Sequence, residues 1–327
     1  MGHLLEIKGL RVEYRSDESI VKAVNGVSFS LDKGTVIGLV GETGAGKTTT
    51  ALGIMRLLPA MTGRITGGEI MFKGEDLLKK PPGDMRAVRG AMISMIFQDP
   101  MTSLNPVVSV GDQIRESLEI HSVDSRSGSA MDAKVDELLE LVNIPSRRKK
   151  EYPHQFSGGM RQRVGIAMAL ACEPELLIAD EPTTALDVTI QAQVLELMRG
   201  LKDKLETSMI MITHDLGVVA EICDRVAIMY AGEVVEQGSV RDIFESERHH
   251  PYTEGLFGAI PSLAAASRRL APIDGLMPDP TDLPIGCKFA ERCKYREAVC
   301  GHTAPGADAE GHAIACHRFA GKRHGAD

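Results

Sequence analysis

The chain has 327 residues, 43% hydrophobic and 25% charged, enough to bury a large core and to form one big domain with an appendage, or two domains. A formal charge of −8 without a basic stripe excludes a general nucleic-acid binder, whose surface must neutralise phosphates. The longest apolar runs, Val36–Val40 and Ile166–Ala171, fall far short of the roughly 20 residues that span a bilayer, so no membrane crossing is expected.

The start of the chain has neither a basic n-region nor an apolar h-region. Glu6 stands where a myristoylation motif needs Ser or Thr, so neither export nor lipidation is expected. Short apolar runs then alternate with amphipathic stretches, the pattern of an α/β protein with a largely parallel sheet. Strands are expected at 5–12, 27–31, 36–40, 70–72, 92–97, 176–179 and 209–212, with the Asp32-Lys33-Gly34 turn between the second and third. From Val110 to Val142 a helical region interrupts the rhythm, with a Ser-rich surface loop at Ser122–Ser129. It reads as an inserted helical subdomain, about 99–165. After Gly238 the strand pattern fades, and from Pro251 the chain is rich in Pro, Gly, Ala and Cys. This predicts a main domain at 1–247 and a loop-rich extension at 248–327.

Gly41-Glu42-Thr43-Gly44-Ala45-Gly46-Lys47-Thr48 fits the phosphate-loop pattern G-x-x-x-x-G-K-[ST] and follows the apolar run Val36–Val40. Such a loop turns successive backbone N–H groups toward phosphate oxygens at the positive end of the next helix. Lys47 adds a mobile cation and Thr48 a hydroxyl for Mg²⁺, and Thr49 completes the expected ATP cradle. A second acid set is needed to hold the metal and prepare a water. Leu176–Ala179 reads as a buried strand ending in Asp180 and Glu181. Asp180 is expected to reach Mg²⁺ through Thr48 and water. Glu181, pointing differently because strand side chains alternate, is expected to polarise the attacking water.

Between these elements lies Phe156-Ser157-Gly158-Gly159-Met160-Arg161-Gln162, followed by a helical run. This segment resembles the signature motif of ABC ATPases. Its usual companions stand in order: Gln98 after the fifth expected strand, Ala185-Leu186-Asp187 after the acid pair, and His214 after the strand ending near Thr213. The resemblance covers residues 4 to about 240 and implies a P-loop NTPase fold in which two nucleotide-binding domains pair head to tail. Ser157, Gly158 and Gly159 of one would then close on the ATP held by the other. It also implies that Gln98 senses Mg²⁺ and water, His214 contacts the γ-phosphate, Asp187 couples the two sites, and Tyr14 stacks on adenine; a plain strand tyrosine is the other reading of Tyr14. Phe156 and Met160 depart from the commonest signature, which has Leu and Gln there.

Asp99-Pro100-Met101-Thr102-Ser103-Leu104-Asn105-Pro106, His250-Pro251-Tyr252-Thr253 and Leu283-Pro284-Ile285-Gly286-Cys287 resemble the ATPase subunits of oligopeptide and dipeptide importers; nickel importers are close relatives. The resemblance implies a related but different ATPase as dimer partner, two integral membrane permeases, and indirectly an extracytoplasmic solute-binding protein. The chain would sit peripherally on the cytoplasmic face of the membrane, held through the region around Gln98 to Ile120. An ABC ATPase uncoupled from transport would need a coiled-coil insertion or a second fused domain, and neither is visible.

Six cysteines are present. Cys172 and Cys223 lie in apolar or helical surroundings and read as buried small hydrophobes. Cys287, Cys293, Cys300 and Cys316 crowd into the last 41 residues with gaps of five, six and fifteen. Four thiolates suit one [4Fe–4S] cluster. The gaps lack the short C-x₂₋₄-C knuckles usual for structural zinc, and Zn²⁺ and free thiols stand as the alternatives. The peptide-importer resemblance also implies such a cluster, with a structural role.

Overall fold

A computed structural model of the chain describes residues 2–99, 103–121, 128–184, 186–259, 273–304 and 311–319. Pro100, Met101, Thr102 and Ala185 of the motifs above, and 122–127 of the Ser-rich stretch, lie outside the described residues. In chain order the elements are β1 (Leu5–Arg15), β2 (Ile20–Leu31), β3 (Val36–Val40), α1 (Lys47–Met55), β4 (Gly63–Phe72), β5 (Glu75–Asp76), α2 (Pro82–Val88) and β6 (Ile93–Ile96). Then come α3 (Val110–His121), α4 (Gly128–Leu141), α5 (Gly158–Leu170), β7 (Leu176–Asp180), α6 (Val188–Leu205), β8 (Ser208–Thr213) and α7 (Leu216–Ile222). β9 (Arg225–Tyr230), β10 (Glu233–Ser239), α8 (Val240–Glu245), α9 (Pro251–Gly258) and β11 (Ala313–Ile314) complete the chain. Among the described residues no helix is long and apolar enough to cross a membrane.

The chain forms two compact units. The first comprises Met1–Leu5, Leu31–Val36 and Phe72–Thr213. In it β6, β7 and β8 run parallel, with Ile93 opposite Leu176 and Leu176 opposite Ser208. Every residue of the three strands is buried. Burial on both faces is why they read as continuous apolar runs instead of alternating ones. The helical region folds as α3, α4 and α5 around Val110, Ile114, Leu118, Val135, Leu138, Leu139 and Ile144, all at most 2% exposed. Buried Gln113 closes the loop before α3: its Oε1 accepts from Asn105 N–H at 2.8 Å, and its Nε2 donates to the Asn105 and Val108 carbonyls at 3.0 and 2.9 Å.

The second unit comprises Glu6–Ser30, Ile37–Met71 and His214–Asp327. It carries the sheet ordered β2-β1-β4 and a second set in which β3 runs parallel to β9, and β9 pairs antiparallel with β10. The β9–β10 hairpin turns through Ala231 and Gly232, both at positive φ (47° and 79°), the chirality that two-residue hairpins require. β11 adds antiparallel to β10, Glu236 facing Ile314. The strands of this hairpin and β11 are not among those expected from sequence, and β1, β2 and β4 run longer than expected; the residues added to β1 and β4 are largely polar.

Candidate nucleotide site and cysteine pocket

The apolar strand β3 delivers the chain to Gly41, and the glycine loop ends at Gly46, the residue before α1, whose φ of 97° is open to glycine at little cost. The loop is laced to the β9–β10 turn: Gly232 N–H donates to Ala45 O at 3.0 Å, and Asn25 Nδ2 donates to Ala231 O at 2.9 Å. Lys47, only 6% exposed, folds back over the loop and donates through Nζ to the carbonyls of Gly41 (2.7 Å) and Glu42 (3.1 Å). Thr48 and Thr43 are exposed. No acid lies in the first turn of α1, which leaves its positive end unopposed by its own residues. Tyr14 donates its hydroxyl to Thr49 Oγ1 at 3.3 Å, which ties the two expected nucleotide-side residues together.

In the first unit, β7 ends at buried Asp180, and Glu181 follows at φ 46°. Glu181 therefore lies past the strand in a left-handed turn, and not at an alternating strand position as the sequence reading had it. A left-handed conformation is costly for a residue with a Cβ and must be held by its surroundings. Here Glu181 N–H donates to Ile212 O at 2.9 Å, and its Oε2 accepts from Gln98 Nε2 at 3.1 Å and Thr184 Oγ1 at 2.9 Å. Gln98 and Glu181 are thus brought together.

Ser157 caps α5, its Oγ accepting from Met160 N–H at 3.4 Å, and Asp187 caps α6, accepting from Ile190 N–H at 3.0 Å. Ser157 and Gly158 are exposed, and a Cβ at Gly159 would collide with Ile190, so glycine is what lets the two helix starts approach. The two departures from the commonest signature share one partner. Phe156 is buried beneath the Arg148 guanidinium, 4.4 Å from its ring centroid, and Met160 Sδ accepts from Arg148 Nη1 at 3.3 Å. His214 follows β8 and is exposed.

Cys287, Cys293, Cys300 and Cys316 line one pocket, together with His250, Phe289, Tyr295 and Arg318. Cys287 N–H donates to Cys300 O at 2.8 Å, and Tyr295 N–H donates to Cys293 Sγ at 3.4 Å. Burial pushes the Cys287 thiol up to about 11, and the other three cysteines add to it; Cys293 and Cys316 are also raised, by burial first. Arg318 at the same pocket works against this rise at Cys293 and Cys316, without outweighing burial.

Sequence reasoning did not find Arg292, Tyr252 and Thr184 as neighbours of the site. Arg292 forms a two-pronged ion pair with Glu42, and Tyr252 Oη accepts from Glu42 N–H at 2.8 Å. The His250–Thr253 stretch and the position of Arg292 beside Cys293 are the signals that point to them. Also unforeseen is Glu236, which is wholly buried in side chain. Its Oε1 accepts from His249 (2.9 Å) and His312 (2.7 Å), its Oε2 from Thr253 Oγ1 (2.6 Å) and His250 N–H (2.7 Å). Glu236, His249 and His312 stand at metal-ligand spacing among the described residues, but four donors already fill the carboxylate, so the group reads as a hydrogen-bonded clamp.

A strand, a glycine loop ending in Lys-Thr at a helix start, and a strand ending in Asp180 with Glu181 just past it define a P-loop nucleotide hydrolase. A family model described as ABC transporter matches residues 24–184, and one described as Oligopeptide/dipeptide transporter, C-terminal region, matches residues 235–300. The dipeptide transport ATP-binding protein DppD of Bacillus subtilis (strain 168) is 51% identical over 320 residues, 97% of this chain and 95% of that protein. The oligopeptide transport ATP-binding protein OppD of Salmonella typhimurium is 49% identical over 304 residues, 92% of this chain and 89% of that protein. Among solved structures, a dimeric post-hydrolysis state of an ATP-binding cassette bound to ADP and Pi superposes with a TM-score of 0.65 at 26% identity, covering 72% of this chain and 99% of that one. The chain belongs to the ATPases of ABC transporters, in the group that carries the oligopeptide/dipeptide transporter C-terminal region.

Proposed function

We propose that the chain is the ATP-hydrolysing subunit that energises import of oligopeptides or dipeptides through an ABC transporter. The observation that carries the reading is the pairing, in one chain, of an ABC ATPase core with the C-terminal region of peptide transporters, at half identity to dipeptide and oligopeptide transport ATP-binding proteins over nearly the whole length. Residues 1–247 act as the nucleotide-binding domain and 248–327 as its extension.

The backbone of Gly41–Gly46, with Lys47, holds the ATP phosphates, Thr49 and Tyr14 complete the nucleotide cradle, and Thr48, Asp180 and Gln98 serve Mg²⁺. Glu181 is the base that polarises the attacking water, and His214 contacts the γ-phosphate. Ser157–Gly159 and Asp187 of a partner ATPase, a related but different chain, complete each site across the dimer. The start of α5, exposed at Ser157 and Gly158, suits this role, because the first N–H groups of a helix have no partner within the helix and its start is the positive end. Two membrane permeases complete the importer and hold the chain at the cytoplasmic face; a solute-binding protein outside delivers the cargo. A cavity of about 280 Å³, lined in part by Phe97, Ser103, Ser117, His121 and Gln162, lies in the region that would meet a permease, and among the described residues buried Gln162 Nε2 has no hydrogen-bond partner.

The residues present fit a [4Fe–4S] cluster at Cys287, Cys293, Cys300 and Cys316. The four share one pocket, and Cys293 Sγ already accepts a backbone N–H, the hydrogen bond that tunes cluster sulfurs. Tetrahedral zinc needs thiolates roughly 3.8 Å apart, and among the described residues no three of these cysteines bring their ligand atoms within 4.8 Å of one another. When bound, the cluster would supply a covalent cross-link for a segment with a small apolar core. Purification of the membrane complex tests the whole reading. A Mg²⁺-ATPase recovered with a second ATPase and two permeases is expected, and a homodimer with no permease would sink it.

A further inference from the structure

The cysteine-bearing segment reaches the phosphate loop through one side chain. Arg292, immediately before Cys293, donates Nη1 to Glu42 Oε2 at 2.9 Å and Nη2 to Glu42 Oε1 at 3.2 Å, across 250 positions of sequence. The Arg292 side chain is only 6% exposed. Its fork is itself held: Nε donates to Asp274 O at 2.9 Å, Nη2 to Ile273 O at 3.2 Å and Nη1 to Tyr230 Oη at 3.3 Å. The guanidinium also lies 5.7 Å from the Tyr230 ring centroid and 5.9 Å from that of Phe289. Glu42 is gripped a second time through its backbone, by the fully buried Tyr252. Two further contacts bring the same segment to this region. Pro280 O accepts from Lys22 N–H at 2.9 Å, and the Met277 methyl lies 3.8 Å from where a Gly44 side chain would begin.

A phosphate loop binds through N–H groups that must all point inward at once, so ordering the loop before the ligand arrives raises affinity. A bidentate guanidinium fixes both the place and the plane of a carboxylate, which a point cation does not. We propose that Arg292 is a positioning residue for the nucleotide: through Glu42, the cysteine-bearing extension sets the geometry of the phosphate loop, and ATP affinity depends on it. The proposal rests on the ATP-binding reading above.

The experiment is equilibrium titration of the full-length chain with Mg²⁺-ATP, together with steady-state ATPase assays of the assembled complex. Arg292→Gln and Glu42→Gln are each expected to raise the Kd for ATP about tenfold. The double variant should be no weaker than the weaker single one, because both remove the same pair. KM for ATP should rise with kcat kept within about twofold, since the lost interaction orders the ground state. Arg292→Lys keeps the charge and the stem but not the fork, and is expected to fall between wild type and Arg292→Gln. Any Arg292 variant that unfolds cooperatively and binds ATP like wild type overturns the proposal. So does rescue of Arg292→Gln by Glu42→Gln, which would mark a charge effect on the phosphates and not positioning. Binding of Mg²⁺-ATP by the unaltered chain tests the underlying reading separately.

Discussion

Gln98 Nε2 donates to Glu181 Oε2 at 3.1 Å, joining the chain just past β6 to the residue just past its parallel neighbour β7. The contact, with that from Thr184, aims a carboxylate whose backbone already stands in a left-handed turn. If Glu181 is the base, Glu181→Gln keeps size and hydrogen bonding but loses the proton acceptor. ATP binding should persist while turnover falls by about 10²–10⁴-fold, the usual worth of a general base. Wild-type turnover in this variant would remove Glu181 from the role.

Lys47 should fail in the opposite way. Its Nζ bonds the Gly41 and Glu42 carbonyls, so Lys47→Ala removes both the cation proposed for phosphate and two internal ties of the loop. ATP affinity should drop by about tenfold or more, measured by titration under conditions in which Glu181→Gln still binds. Equal ATP affinity in wild type and Lys47→Ala would contradict the assignment.

The two signature glycines are predicted to differ. An added methyl at Gly159 meets Ile190 of α6 head on, whereas at Gly158 the nearest atom is Leu186 Cδ2 at 3.9 Å. Gly159→Ala should lower stability by about 1–3 kcal/mol through overpacking, and Gly158→Ala should leave the thermal transition nearly unchanged. Calorimetry that ranked them the other way would show that the α5–α6 approach is not what demands glycine.

What could be read in the sequence was what is local or repeated. Val36–Val40 is a strand at the expected residues because burial on both faces makes it apolar throughout, and the glycine loop follows it as the pattern requires. Val226–Tyr230 is just as apolar, yet only Cys223-Asp224-Arg225 separates it from α7, with no Gly or Pro to mark the break. β11 has two residues and exists because β10 offers an edge to pair with. The left-handed backbone of Glu181 and the partner of Arg292 depend on contacts from far along the chain, which no periodicity carries.

The proposed iron–sulfur centre has its own test. Anaerobically purified protein should be brown and carry about four irons per chain, and replacing Cys287, Cys293, Cys300 and Cys316 together by Ser should abolish both. Stoichiometric zinc in a colourless anaerobic preparation, or unchanged iron in the quadruple variant, would defeat the assignment.

Acid should loosen the clamp on Glu236. Burial alone would raise this carboxyl, but bonds from His249, His312, Thr253 and the His250 N–H outweigh it and hold it down at about 2, against an ordinary 4.5. A depressed carboxylate contributes stability that is complete above its unfolded value and is lost as pH falls from about 4.5 toward about 2, on the order of 3 kcal/mol for this shift. His250 acts in the same direction one step earlier. Burial lowers it from 6.5 to about 4, so the unfolded chain takes up its proton first and stability declines between those values. His249 opposes them, because its bond to Glu236 raises it, and its contribution is present below 6.5 and lost as pH rises through the raised value. Because Glu236 and His312 join β10 to the segment that ends in β11, acid should also detach that edge strand. Thermal melts from pH 7 to 3 should therefore show a steep acid limb in the wild type. In Glu236→Gln the melting temperature should be lower at neutral pH and the limb flatter below pH 4.5, since the amide has no proton to gain. Parallel acid limbs in the two proteins would show that Glu236 does not set the pH dependence.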